Sequence, residues 1–200
     1  VGAYRSVFYA EVIGVLFLFI VLSFTNEPLP NTRAQVFAFL AGMFGTIGLM
    51  LLYHSMTLGL MSIAAPVSAL LAAVMPVLFG IFTEGMPSFL TLFGFGFALL
   101  AVWLVSQSEG GVKDILSHLS DLKLPLLAGI GFGFYFVLMH QATRDGGAIW
   151  HMVFSRSGGM LLIVTYLLVT RSSWKIELSS LPVISMNGIL DLGGNFFFIL

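Results

Sequence analysis

Seven stretches of mostly apolar residues, each near the roughly 20 residues needed to cross a bilayer, occupy almost the entire chain. They run about Tyr4–Phe24, Ala34–Thr57, Ser62–Thr83, Ser88–Ser106, Leu124–Thr143, Ala148–Thr170, and from Pro182 to Leu200. Hydrocarbon offers no water to an unpaired amide, so each stretch must close its own backbone hydrogen bonds as a helix. A soluble alternative fails on composition: 58% of residues are hydrophobic and 8% charged, against about 25% charged in soluble domains. The expected fold is therefore all-α, a polytopic transmembrane helix bundle in a lipid bilayer. A net charge of −1 leaves no basic stripe for nucleic acid. Without cysteine, neither disulfides nor thiolate chemistry are open to it.

Turn chemistry separates the stretches. Asn26-Glu27-Pro28-Leu29-Pro30-Asn31 cannot continue a helix in lipid. Glu84-Gly85-Met86-Pro87 is a tight hairpin, and the few residues around Gly59 make the second and third spans antiparallel neighbours. From Gln107 to Leu122, Val112, Ile115, Leu116, Leu119 and Leu122 fall at helical spacing, opposite Lys113, Asp114, His118 and Asp121. This is either a short amphipathic helix lying at the interface or an ordinary polar connector. Both ends of the sequence read as cuts. Val1 is no initiator, and Asn195 to Leu200 stop inside an apolar run that would leave carbonyls unpaired in hydrocarbon.

An internal repeat is suggested by two features. Tyr4-Arg5-Ser6 resembles Ser155-Arg156-Ser157, and the glycines of the second span, Gly42, Gly45 and Gly48, resemble Gly188, Gly193 and Gly194 of the seventh. With three spans between the pairs, a five-helix unit used twice fits, and an odd count inverts the second copy in the membrane. Small residues such as Gly129, Gly131, Gly133, Gly158 and Gly159, and the Ala65, Ala69, Ala73 stripe, read first as helix packing and second as ligand contact. Pro66 and Pro76 free the carbonyls of Ser62 and Ala72. Pro66 fits a routine first-turn proline, whereas Pro76 lies near mid-membrane and is the better candidate for a kink lining a cavity.

Ionisable groups at membrane depth are costly and mark function by default. Glu11, Arg156 and Asp191 are the polar-network or coupling candidates. Arg156 and Asp191 sit on consecutive antiparallel spans at depths differing by roughly 5–10 Å. Either they pair, or Arg156 snorkels to an interface and Asp191 faces water alone. Pairing would leave Glu11 as the unpaired acid and the proton carrier. His54, His140 and His151 lie on separate spans and give no metal-site pattern.

Over essentially the whole chain, as if from the second helix into the eighth of ten, the sequence resembles the EamA-type family of the drug/metabolite transporter superfamily. The residues that carry the likeness are Leu52-Tyr53-His54-Ser55-Met56, then Ser62-Ile63-Ala64-Ala65-Pro66-Val67-Ser68-Ala69-Leu70-Leu71, then Met75-Pro76-Val77 and Phe82-Thr83-Glu84. Arg5 and Arg156 look like the arginine that opens the second helix of each family repeat. Met56 and Gly85 depart from the usual alanine and basic residue. The resemblance implies ten helices in two inverted five-helix repeats, of which residues 1–106 would give the first, 107–122 an inter-repeat loop and 123–200 the incomplete second. It further implies a secondary transporter, an exporter of a small metabolite or drug-like solute through a central cavity between the repeats. The expected location is the plasma membrane, a bacterial inner membrane by resemblance. Protons are the candidate coupling ion; no cofactor, catalytic residue or metal is expected. Tyr53, Ser62, Ser68, Pro76 and Asn195 are the cavity candidates.

The alternatives are an integral membrane enzyme or a non-transporting membrane protein. Neither HExxH nor GxSxG occurs. A retinal-type receptor lacks a buried lysine, since Lys113, Lys123 and Lys175 lie in or beside loops. Orientation is contested: the positive-inside rule puts Lys113, Lys123, Arg171 and Lys175 in the cytoplasm, and the family topology puts them outside.

Overall fold

The computed structural model describes residues 3–59, 61–107, 122–171, 174 and 178–199. Seven long helices appear among them: α1 (Ala3–Ser23), α2 (Thr32–Thr57), α3 (Met61–Glu84), α4 (Phe89–Gln107), α5 (Lys123–Ala142), α6 (Ile149–Val169) and α7 (Leu181–Ile199). Short 3-10 turns at Thr143–Asp145 and Leu178–Ser180 precede α6 and α7. No strand occurs among the described residues. Each helix begins and ends close to its apolar stretch, because the same loss of water that favours apolar side chains forces the backbone to bond internally. Five helices, α1, α2, α3, α5 and α6, are long and apolar enough to cross a membrane; the qualifying run in α4 is the shorter Phe89–Ala101. The protein is a helical membrane protein. The stretch 108–121, where an amphipathic helix is expected, lies outside the described residues.

Local chemistry sets the helix ends. Asn31 caps α2: its Oδ1 accepts from the Ala34 amide at 2.9 Å, while the Gln35 side chain donates to the Pro30 carbonyl at 2.7 Å. Ser88 caps α4 through the Thr91 amide at 3.2 Å. After α3 the chain turns at Gly85, whose φ of +92° favours glycine. Pro66 and Pro76 both lie inside α3, which continues past them to Glu84.

The chain divides into two compact units, residues 1–46 with 138–200, and residues 47–137. In the first, α1 packs against both α6 and α7. Tyr4 meets Tyr166 edge to face at 4.8 Å between ring centroids, at one end of α1. Leu18, near the other end, joins Ile149, Met152, Val153 and Leu192 in a buried cluster. Position numbers rise along α1 as they fall along α6, so these two helices are antiparallel. Towards α7 the order is parallel: Gly188 abuts Ala10, and Gly14 abuts Leu192. Close approach depends on missing side chains. A Cβ on Gly188 would sit 2.8 Å from the Ala10 carbonyl oxygen. Cβ atoms on Gly42 and Gly158 would overlap the carbonyls of Ser155 and Phe39, where α2 crosses α6.

In the second unit α3 runs beside α5. A Cβ on Gly129 would lie 2.8 Å from the Ser68 carbonyl oxygen, and one on Gly133 would press on the Met75 side chain. Helix α4 packs on α3 and exposes most of its surface, including Phe89, Phe93 and Phe97. Such a face suits hydrocarbon.

Candidate functional site

Three ionisable side chains meet in the first unit. Arg156 of α6 donates through Nη1 to Glu11 Oε2 at 2.9 Å, and through Nη2 to Asp191 Oδ2. One planar fork thus binds a carboxylate from each neighbouring helix, a geometry suited to guanidinium and not to ammonium. Depth is set by the helices. Glu11 lies just before the midpoint of α1, Arg156 just before that of α6, and Asp191 just past that of α7. At a rise of 1.5 Å per residue all three fall within roughly 5 Å of mid-helix. The side chains of Arg156 and Glu11 are 9% and 11% exposed, and that of Asp191 is 53% exposed. Gly14 leaves room for the guanidinium, whose Nε would lie 3.8 Å from a Cβ placed there.

This arrangement corrects the expectation that Glu11 is the unpaired acid. The antiparallel register that sets Tyr4 beside Tyr166 and Leu18 beside Met152 also sets Glu11 opposite Arg156. Arg156 is buried at mid-helix and does not snorkel. Its depth also weakens the repeat likeness, for Arg5 stands within the first turn of α1 whereas Arg156 is two turns into α6.

No family model, curated protein or solved structure matches this sequence. The site must therefore be read from its own chemistry. A guanidinium flanked by two carboxylates can bind and orient a polar or charged group. Among the described residues no three His, Asp or Glu side chains are grouped as metal ligands.

Tyr53, Ser68 and Pro76 belong to the second unit, Asn195 to the first. Tyr53 and Pro76 are half-buried. Ser68 is buried in the contact between α3 and α5, its hydroxyl 2.7 Å from the Ala64 carbonyl and 2.9 Å from the Pro125 carbonyl. There it acts as a packing contact. Ser62 lies in the first turn of α3 and Asn195 in α7, one turn beyond Asp191; their side chains lie outside what is described.

Sequence reading missed two features. Glu27, in the loop after α1, caps α6: Oε2 accepts from the Ile149 amide and Oε1 from the Trp150 amide, each at 3.2 Å. The Trp150 indole in turn donates to the Glu27 carbonyl at 3.0 Å. A signal existed, because α6 starts after Gly146-Gly147-Ala148 with no capping side chain of its own. The second feature is the spacing of Asn187, Asp191 and Asn195, which marks one polar face of α7 at four-residue intervals.

Proposed function

We propose that this protein is a secondary transporter of the EamA type, moving a small metabolite or drug-like solute outward across the plasma membrane. The observation that carries the reading is the Glu11–Arg156–Asp191 cluster at mid-helix depth, in which Glu11 and Arg156 are buried. Ionised groups there are retained against a standing cost, and transport pathways are where membrane proteins most often retain them. The proposed architecture is two inverted five-helix repeats around a central cavity. The antiparallel course of α1 and α6 supports inversion, since a repeat about an axis along the membrane normal would make these two helices parallel. The Ser62–Leu71 run and Pro76 in α3 support the family through sequence likeness.

The test is efflux. Cells producing the wild-type protein or Arg156→Ala are challenged with a panel of amino acids, nucleosides and cationic dyes, and export of each labelled compound is followed. Wild type should protect against at least one class and export it, and Arg156→Ala at equal membrane yield should do neither. A folded wild type that exports none of them would overturn the transporter reading.

A further inference from the structure

Arg171, just past the end of α6, has a backbone that suits another residue better. Its φ of +50° lies in the left-handed region, where it is the one non-glycine among the described residues. The turn itself is ordinary for a helix end: the Thr170 amide donates to the Tyr166 carbonyl at 2.9 Å and the Arg171 amide to that of Leu168 at 3.2 Å. Glycine fits such a position best, because a Cβ crowds the neighbouring carbonyl there. The backbone therefore gains nothing from arginine, and what Arg171 contributes comes from its side chain, on an exposed residue.

The surroundings are those of a membrane boundary. From Ile149 to Val169 α6 is 21 residues long, roughly 30 Å at 1.5 Å per residue, which matches the hydrocarbon core and sets Arg171 at the headgroups. Leu161, Leu168 and Val169 are exposed on one face of α6 that leads up to it. Trp174, 37% exposed, is pinned to α1: its carbonyl accepts from the Tyr9 hydroxyl at 3.0 Å, and its ring meets Phe8 edge to face at 5.2 Å. Tryptophan and tyrosine favour this level of a bilayer. Charge separates the two ends of the α1–α6 pair. At this end Arg5 and the connecting residues 171–177 bring three positive side chains and one negative, Glu177. At the other, residues 24–33 and 143–148 bring Glu27 and Asp145 against Arg33 and Arg144, an even balance. We propose that the corner formed by Arg171 and Trp174 binds the phosphate of an anionic phospholipid, whose acyl chains lie along the exposed face of α6. A guanidinium forms charge-assisted, often paired, hydrogen bonds with phosphate oxygens, and the apolar face below it gives the chains a surface to pack on.

Lipid retention tests this. The protein in neutral detergent is mixed with equal amounts of phosphatidylglycerol and phosphatidylcholine of the same acyl chains, and the lipids it keeps are counted by native mass spectrometry. Wild type should keep phosphatidylglycerol in preference. Arg171→Gln should lower that preference about five-fold, the usual weight of one basic side chain at an anionic surface. Arg171→Lys should keep most of it, and Arg144→Gln, at the other end, should leave it unchanged. Arg171→Gly separates the side chain from the backbone: it should unfold at a higher temperature than wild type in lipid-free detergent, yet lose the preference. Inorganic phosphate alone should leave the bound lipid in place. Equal retention of the two lipids by wild type, or a preference that survives both Arg171→Gln and Arg171→Gly, would overturn the proposal. Displacement by inorganic phosphate would show a site for the free anion and overturn the assignment to lipid. None of these readings uses solute export, so loss of the transporter reading would leave the lipid site standing, and the reverse.

Discussion

Glu11 and Arg156, 145 residues apart in sequence, share a buried hydrogen bond of 2.9 Å that ties α1 to α6 at mid-depth. Removing one partner of a buried ion pair costs about 3–5 kcal/mol, because the other charge is left uncompensated. Glu11→Gln should sit at the lower end, about 3 kcal/mol, since Asp191 still accompanies the guanidinium. Arg156→Met should cost more, because it leaves two carboxylates facing each other. Thermal unfolding in detergent would rank them. A Glu11→Gln protein as stable as wild type would show that the bond contributes nothing.

The crossing of α2 and α6 makes a steric prediction. Cβ atoms on Gly42 or Gly158 would overlap backbone carbonyls, which cannot rotate away as side-chain ends can. Gly42→Val and Gly158→Val should each cost about 3 kcal/mol, the upper range for overpacking, and lower the folded yield. Gly94 in α4 has nothing within 4 Å of an added Cβ. Gly94→Ala should therefore be neutral, or stabilising by up to about 1 kcal/mol from helix propensity. Equal loss at all three sites would argue against the close crossing.

Much of the fold is legible because bilayer physics acts locally. A run such as Thr32–Thr57 must be helical whatever it touches, and Asn26–Asn31 must break the helix whatever follows. Which non-consecutive helices meet is not local. Asp191 and Arg156 could be paired from sequence because their spans are consecutive and their depths similar. Glu11 could not, since its partner depends on α1 settling between α6 and α7, a choice made by contacts such as Gly188 on Ala10. Ser68 shows the converse problem: a small polar residue beside a helical proline reads equally as cavity lining or as packing, and only the position of Pro125 separates the two.

Glu27 offers a prediction on helix capping. Its carboxylate satisfies two amides at the start of α6 and sits at the positive end of that helix's dipole. Glu27→Ala should cost about 1–2 kcal/mol, the range for loss of a cap. Glu27→Gln should cost less, keeping one acceptor and losing the charge. Hydrogen exchange should quicken at the Ile149 and Trp150 amides in Glu27→Ala while the Met152 amide, which donates to the Ala148 carbonyl at 3.1 Å, stays protected. Unchanged exchange at both amides would mean that Glu27 is not their partner in solution.

Ser68 separates packing from solute contact. Its single hydroxyl proton lies within reach of two carbonyls, Ala64 in its own helix and Pro125 across the α3–α5 contact. Ser68→Ala removes the donor and leaves the Pro125 carbonyl one partner short. A loss of about 1 kcal/mol is expected, the usual net contribution of an intramolecular hydrogen bond. Ser68→Thr keeps the hydroxyl but adds a methyl where the site is buried, so it should lose stability by crowding and not by loss of the bond. Under the proposed transporter reading, solute export per folded molecule should be unchanged in Ser68→Ala, because a residue 1% exposed has no face to offer a solute. Measuring stability and export together decides between the roles. If Ser68→Ala kept full thermal stability yet exported less solute per folded molecule, Ser68 would belong to the transport path and the packing assignment would fall.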